Sequence, residues 1–428
     1  MKVEFIRHAS ILIDCGEDKI LCDPWFTGTA FDDGWKHVNN SDLDINDLDF
    51  NYIWYSHEHP DHFSVSDLKR LKRKDITILF QETMDNKVKN FCKKEGFKVI
   101  ELEHLKSYEL NQDLNIINGT DGFDSWLCVK HKGKTVLNLN DCRLDSEENL
   151  SVVKNTVGNI DGLYTQFGYA NWAGNDGDSK GPEIARRILY AQIKNQIEIL
   201  KPEAIIPFAS YVFFCHEENS YWNSTAVEIS ESFEKMNQMH NNVCVTYPND
   251  IWTVGEDWDI SKSYSNIEKY TDDLELALSQ KLCTSETYGV EILHESFVKM
   301  ITKIKKDNNY DSILSLGLKP SIVHITDLDL IISFDITTDK LEIVDEGSFD
   351  VSMSSNSFKY LMDHKWGRGT IMINGRFSAN YSRAGKFWQQ TMIYYANNLG
   401  KSYPETLSKN AVLNGSNYTL ELMREWDL

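Results

Sequence analysis

Seven consecutive residues constrain this chain more than any other stretch: Ser56-His57-Glu58-His59-Pro60-Asp61-His62. Three imidazoles and a carboxylate stand in the order His-x-His-x-Asp-His, directly after the apolar run Tyr52 to Tyr55. That run has the length and the aromatic and β-branched side chains of a short strand, so the histidines fall where a loop leaves a sheet edge. In extended chain, residues two apart point to the same side, so His57 and His59 can reach one cation together. Asp61 and His62 can serve a second. Imidazole and carboxylate are donors that suit zinc, iron and manganese. With 12 histidines in 428 residues, such a cluster is rare by chance.

Charge narrows the partners. Asp+Glu 65 against Lys+Arg 44 leaves a net charge of −21. Nucleic acid and anionic membrane are polyanions that bind basic patches, so neither is expected as a partner. A small-molecule substrate is expected instead, and a homodimer is compatible with the composition. No run approaches 18 apolar residues and Met1 to Leu12 lacks a signal-peptide core, so no membrane span or leader is expected. Eight cysteines lie scattered without a Cys-x-x-Cys pair, which reads as reduced thiols in a cytoplasmic protein.

The first half alternates short strands with helical stretches. Val3 to Arg7, Ile11 to Cys15, Ile76 to Phe80, Trp126 to Val129 and Thr135 to Leu139 have strand patterns. Pro182 to Leu200 is amphipathic, with Ala185, Leu189, Ile193, Ile197 and Leu200 on one helical face. Val243 to Tyr247 is expected as a strand. The mixture predicts a layered α/β arrangement over residues 1–258. Residues 259–428 are expected to form a polar helical segment and an α+β accessory domain, with a strand at Thr370 to Ile373.

A His-x-His-x-Asp-His segment after a strand resembles the metallo-β-lactamase superfamily. The resemblance implies an αββα sandwich, two β-sheets face to face with helices outside and a dinuclear site at the sheet edge. It also implies ligands downstream. Asp141, in Leu137-Asn-Leu-Asn-Asp-Cys142, fits the bridging aspartate, and His216 fits the final histidine. The third histidine of the first metal has no good counterpart. Asp124, Asp121 and the more distant His104 are the alternatives, Asp124 being preferred. A carboxylate there shifts preference from zinc toward iron or manganese.

Further blocks narrow the likeness: His8-Ala-Ser10, Cys22-Asp-Pro-Trp-Phe-Thr-Gly28, Leu137 to Cys142, and Pro207-Phe-Ala-Ser-Tyr211 with His216. Together they resemble the metal-binding portion of the CMP-N-acetylneuraminate hydroxylase group, over roughly residues 5 to 225. That resemblance implies two iron ions, O2-dependent hydroxylation of an amino-sugar nucleotide or similar N-acyl or amine substrate, and supplied electrons. It also places His8, Asp23 and Tyr211 near the centre: Asp61, His8 and Tyr211 as catalytic candidates, and Asp23 as a holder of a ligand imidazole. Animal members carry a Rieske iron–sulfur module, which needs Cys-x-His and Cys-x-x-His. This chain has no Cys-x-His, and its one Cys-x-x-His, Cys128 to His131, falls in an expected hairpin. A separate ferredoxin or Rieske-type donor is therefore expected. The alternative is a hydrolase in which two metals activate a bridging hydroxide against an ester, amide or phosphodiester. Residues 168–181 are a glycine-rich candidate substrate loop, and residues 320–400 weakly resemble a sterol-carrier-like module.

Overall fold

Period-two alternation divides each central strand between two environments. A computed structural model describes residues 1–414 except 40, 170 and 346. In the strand Tyr52–Tyr55, Trp54 packs between two sheets, while Ile53 and Tyr55 pack against outer helices. In Asp124–His131, Leu127 and Val129 face inward, and Trp126 and Cys128 face outward. Both faces are apolar because both are covered, as strands in the middle layers of a four-layer stack require.

The first sheet has seven strands, ordered Ile251–Thr253, Lys2–Arg7, Ser10–Asp14, Lys19–Cys22, Tyr52–Tyr55, Thr77–Gln81 and Lys98–Leu102. The second has six, ordered Ala204–Phe208, Gly162–Gln166, Lys134–Asn140, Asp124–His131, Leu114–Asp121 and Ser107–Asn111. Helices Val65–Arg70 and Lys87–Lys94 cover one outer face, and Glu147–Val157 the other. This is the αββα sandwich. The helix Lys180–Leu200 buries Ala185, Leu189, Ile193, Ile197 and Leu200, the face its spacing predicts.

The second half adds a five-stranded sheet, ordered Lys340–Ile343, Leu330–Asp335, Ser321–Ile325, Val351–Met353 and Ser378–Ala379. Helices Val290–Asp307, Ser355–Asp363, Gly367–Asn374 and Gly385–Asn398 pack on it. Two expectations are corrected. Thr370 to Ile373 is helical, because a short apolar run fits either period; Gly375, left-handed at φ 65°, closes that helix. Val243 to Tyr247 forms no strand, and only Val243 bridges to Ile205. The helix Ile260–Leu278, grouped by sequence with the accessory half, seats Tyr270 in the core of the first.

The halves share one apolar core, in which Trp25, Phe31, Trp35, Trp172 and Trp222 meet Ile371, Phe377 and Trp388. A buried cation fastens the seam. Arg376 donates to Asp32 Oδ2 at 2.9 Å, Glu218 Oε2 at 2.7 Å, Ser285 Oγ at 2.7 Å and Asn356 Oδ1 at 2.9 Å. Removing one partner of a buried pair strands the other charges. Arg376→Ala is expected to lower unfolding free energy by about 3 kcal/mol in denaturant titration; a loss below about 0.5 kcal/mol would contradict this account of the seam.

Candidate metal centre

Loops leaving both sheets at one edge deliver the candidate ligands. His8 sits in the turn between Lys2–Arg7 and Ser10–Asp14, Asp23 follows Lys19–Cys22, and Asp141 follows Lys134–Asn140. Asp124 opens its strand after a tight turn, with Gly122 at φ 66°. His8, Asp23 and Asn140 have positive φ of 42°, 40° and 53°. Left-handed backbone is uncommon for side-chain-bearing residues, and three cases at one edge mark a place where the surroundings hold strain.

Asp23, fully buried, accepts from Ser56 N and Ser56 Oγ, each at 2.8 Å, from His62 Nδ1 at 3.1 Å, and from Asn140 Nδ2. Ser56 Oγ also lies 2.9 Å from His57 Nδ1. Because Ser56 Oγ donates to Asp23, it accepts from His57. These contacts put the Nδ1 proton of both histidines toward the protein and turn each Nε2 toward the centre. Gln81 Nε2 and Ser125 Oγ hold the Ser56 carbonyl at 3.0 and 2.5 Å.

The donors form two groups, within each of which they lie within 4.8 Å of one another: His57, His59 and Asp141, and His8, Asp61 and His62. In the first, His57 Nε2 is 2.9 Å from His59 Nδ1, and Asp124 Oδ1 is 3.6 Å from the same His57 nitrogen. In the second, Asp61 Oδ2 lies 3.2 Å from His8 Nε2 and 3.3 Å from His62 Nε2. Asp141 links them, its Oδ2 being 3.1 Å from His62 Nε2. Gln166 Nε2 reaches Asp141 Oδ1 at 3.4 Å.

Burial, with His62 and His59 adjacent, holds the His57 imidazole well below its ordinary range, and burial lowers His59 to about 4. Burial would lower His62 as well, but Asp61, Asp141 and Asp23 outweigh it and raise it. Asp124 is pushed well above the carboxylate range by burial and then by Asp141. Burial would raise Asp61 too, but His62 and His8 outweigh it and lower it, so Asp124 is the carboxyl group whose charge the imidazoles do not compensate. Buried Asp61 Oδ1 and His8 Nδ1 have no hydrogen-bond partner among the described residues. The donor set fits cations, around which the imidazole nitrogens and carboxylate oxygens that now face one another would gather.

Several predicted positions land elsewhere. His216 is corrected: it does not join the centre. Its Nε2 meets Ser285 Oγ at 2.9 Å and its Nδ1 accepts from Glu218 N at 3.1 Å, so it braces the seam. His8 stands where the second group needs a further imidazole. Tyr211 is a core residue, stacked on Tyr270 at 4.3 Å with its hydroxyl 3.3 Å from Pro207 O. Asp121 caps Leu144 N, and His104 Nδ1 accepts from Thr120 N, which leaves Asp124 facing His57. In the glycine-rich loop, Ala170 lies outside the described residues; Tyr169 and Asn171 line a mixed pocket of about 140 Å³, with Arg143, Gln166 and Gln192 on its polar side and Trp35, Ile188 and Leu189 on its apolar side, beside His59 and Asp61. Sequence reasoning missed Asn140 and Gln81, polar residues at strand ends within apolar runs.

Sandwich and edge site together are those of the metallo-β-lactamase fold, a class of metal-binding proteins. Residues 2–209 match the family model described as the β-lactamase superfamily domain. The cytidine monophosphate-N-acetylneuraminic acid hydroxylase of Danio rerio is 25% identical over 56% of this chain and 43% of its own length. A protein of Mycolicibacterium smegmatis, provisionally named a Rieske 2Fe-2S iron–sulfur protein, is 32% identical over 40% of this chain and 35% of its own. The chain thus spans less than half the length of these curated relatives. A solved variant of the β-hydroxylase CmlA aligns with a TM-score of 0.45 at 13% identity, over 59% of this chain and 53% of that one, too weak to bear on chemistry. No helix among the described residues is long and apolar enough to cross a membrane.

Two substitutions separate the histidines. His8→Ala is expected to lower metal stoichiometry in elemental analysis, whereas His216→Gln leaves it unchanged; the reverse pattern would restore His216 as a ligand. Asp23→Asn is expected to weaken metal retention against a chelator by roughly 10–100-fold with unchanged circular dichroism. Full retention would contradict its orienting role.

Proposed function

We propose that this chain is a metal-dependent oxygenase that hydroxylates a small N-acyl or amine compound at a pair of iron ions. The donor set carries the proposal: three aspartates and four histidines, richer in carboxylate than a zinc hydrolase needs. His57, His59 and Asp124 would hold one ion, His8, Asp61 and His62 the other, and Asp141 would bridge them. Bound iron would supply O2 reduction. The chain's own part is orientation and polarity: Asp23 and Ser56 fix the ligand tautomers, and the polar side of the neighbouring pocket meets an amide or amine with Gln166, Gln192 and Asn171.

Relatives named hydroxylases support the oxygenase form, and a relative named a Rieske protein supports a separate ferredoxin or Rieske-type electron donor. Two iron ions would fit; manganese or zinc would bind the same donors. The test is elemental analysis of protein purified without O2, followed by O2 uptake with a reductant and candidate amides. The proposal expects about two irons per chain and substrate-dependent O2 uptake. Zinc in the site with O2-independent turnover of an ester, amide or phosphodiester would replace it with the hydrolase.

A further inference from the structure

His59 faces two spaces. Beyond the pocket shared with Gln166 and Gln192, it lines a cleft of about 480 Å³ between the metal-binding half and the accessory half. From the first half come Phe63, Phe91 and Phe123, the last with its ring 4.9 Å from that of His59. From the second come Tyr360, Trp366 and Tyr395. The accessory half therefore builds one wall of a cavity that reaches a candidate ligand.

The polar groups of this cleft are committed to one another. Lys87 Nζ donates to Glu58 Oε1 at 2.6 Å and to Asn398 Oδ1 at 2.9 Å, and Asn398 Nδ2 donates to Glu58 Oε1 at 2.9 Å. Asp32 is held by Arg376. Lys87, the one lysine or arginine among the described lining residues, is thus already paired, and the net charge of −21 opposes anions further. Trp366 is 47% exposed, a large apolar surface at the mouth. Its Nε1 donates to Tyr360 Oη at 3.1 Å and its ring stacks on His364 at 4.7 Å, so the indole is held in place. A fixed, exposed aromatic beside a cleft walled by aromatic rings is a surface for stacking.

We propose that this cleft binds an uncharged planar ring of the substrate, and that Tyr360, Trp366 and Tyr395 determine specificity for it. The proposal deepens the functional reading, since it takes the neighbouring centre as the reaction site. An aryl group and a nucleobase share the required chemistry. A phosphate or carboxylate attached to either would lie outside the cleft. The accessory half is then a substrate-recognition module.

Binding to metal-free full-length chain tests this separately from the oxygenase reading, because neither iron nor turnover is involved. The ligands are phenylacetamide, cytidine and, as the non-planar control, cyclohexylacetamide, followed by tryptophan fluorescence and ligand-observed NMR. Phenylacetamide or cytidine is expected to bind at least fivefold more tightly than the cyclohexyl compound, and the better of the two identifies the ring. Trp366→Ala, at a half-exposed site, and Val65→Trp, which fills the cleft from its other rim, are each expected to weaken that binding at least tenfold, with unchanged circular dichroism. Equal binding of the cyclohexyl compound, binding untouched by both substitutions, or no binding by either planar ligand would overturn the proposal.

Discussion

One buried carboxylate organises the candidate centre. Asp23 gathers Ser56, His62 and Asn140, which arrive from both sheets. A carboxylate taken out of water must be compensated by donors, and here the compensation is also orientation. By receiving the Nδ1 proton of His62 and the hydroxyl of Ser56, it turns the Nε2 atoms of His62 and His57 toward the centre. The left-handed backbone at His8, Asp23 and Asn140 is the conformational cost of bringing these chains together.

The second constraint is the seam between halves. Arg376 compensates Asp32 and Glu218, and His216 rests on Ser285 within the same network. The seam fixes the accessory helices beside the loop that carries His59. Glu58, within the histidine segment, is tied to Lys87 and Asn398, so the metal loop is braced from both halves. A cleft bounded by both halves follows from that bracing.

Much of this was legible in sequence where periodicity and ligand spacing coincide. His57, His59, Asp61 and His62 lie within six residues on one loop, and local geometry alone brings them together. The strands show their alternation because both faces are buried. Asp124 could be singled out by its distance before Asp141; Asp121 and His104 are set aside by their hydrogen bonds to Leu144 N and Thr120 N, which spacing does not reveal. His216 misled because a histidine following a strand at the expected place says nothing of its hydrogen bonds; Ser285, 69 residues later, satisfies it. His8 was legible as a nearby residue, but its closeness to Asp61 depends on how the first hairpin packs on the histidine loop. Thr370 to Ile373 was ambiguous because four apolar-rich residues cannot distinguish a period of two from 3.6.

The central claim is a pair of cations held by these distant side chains. Anomalous diffraction from crystals grown with ferrous iron, measured on both sides of the iron absorption edge, tests it most directly. The account predicts two iron peaks sharing Asp141, one at His57 and His59 and the other at His8, Asp61 and His62. A single peak at His216, or none among these residues, would contradict it.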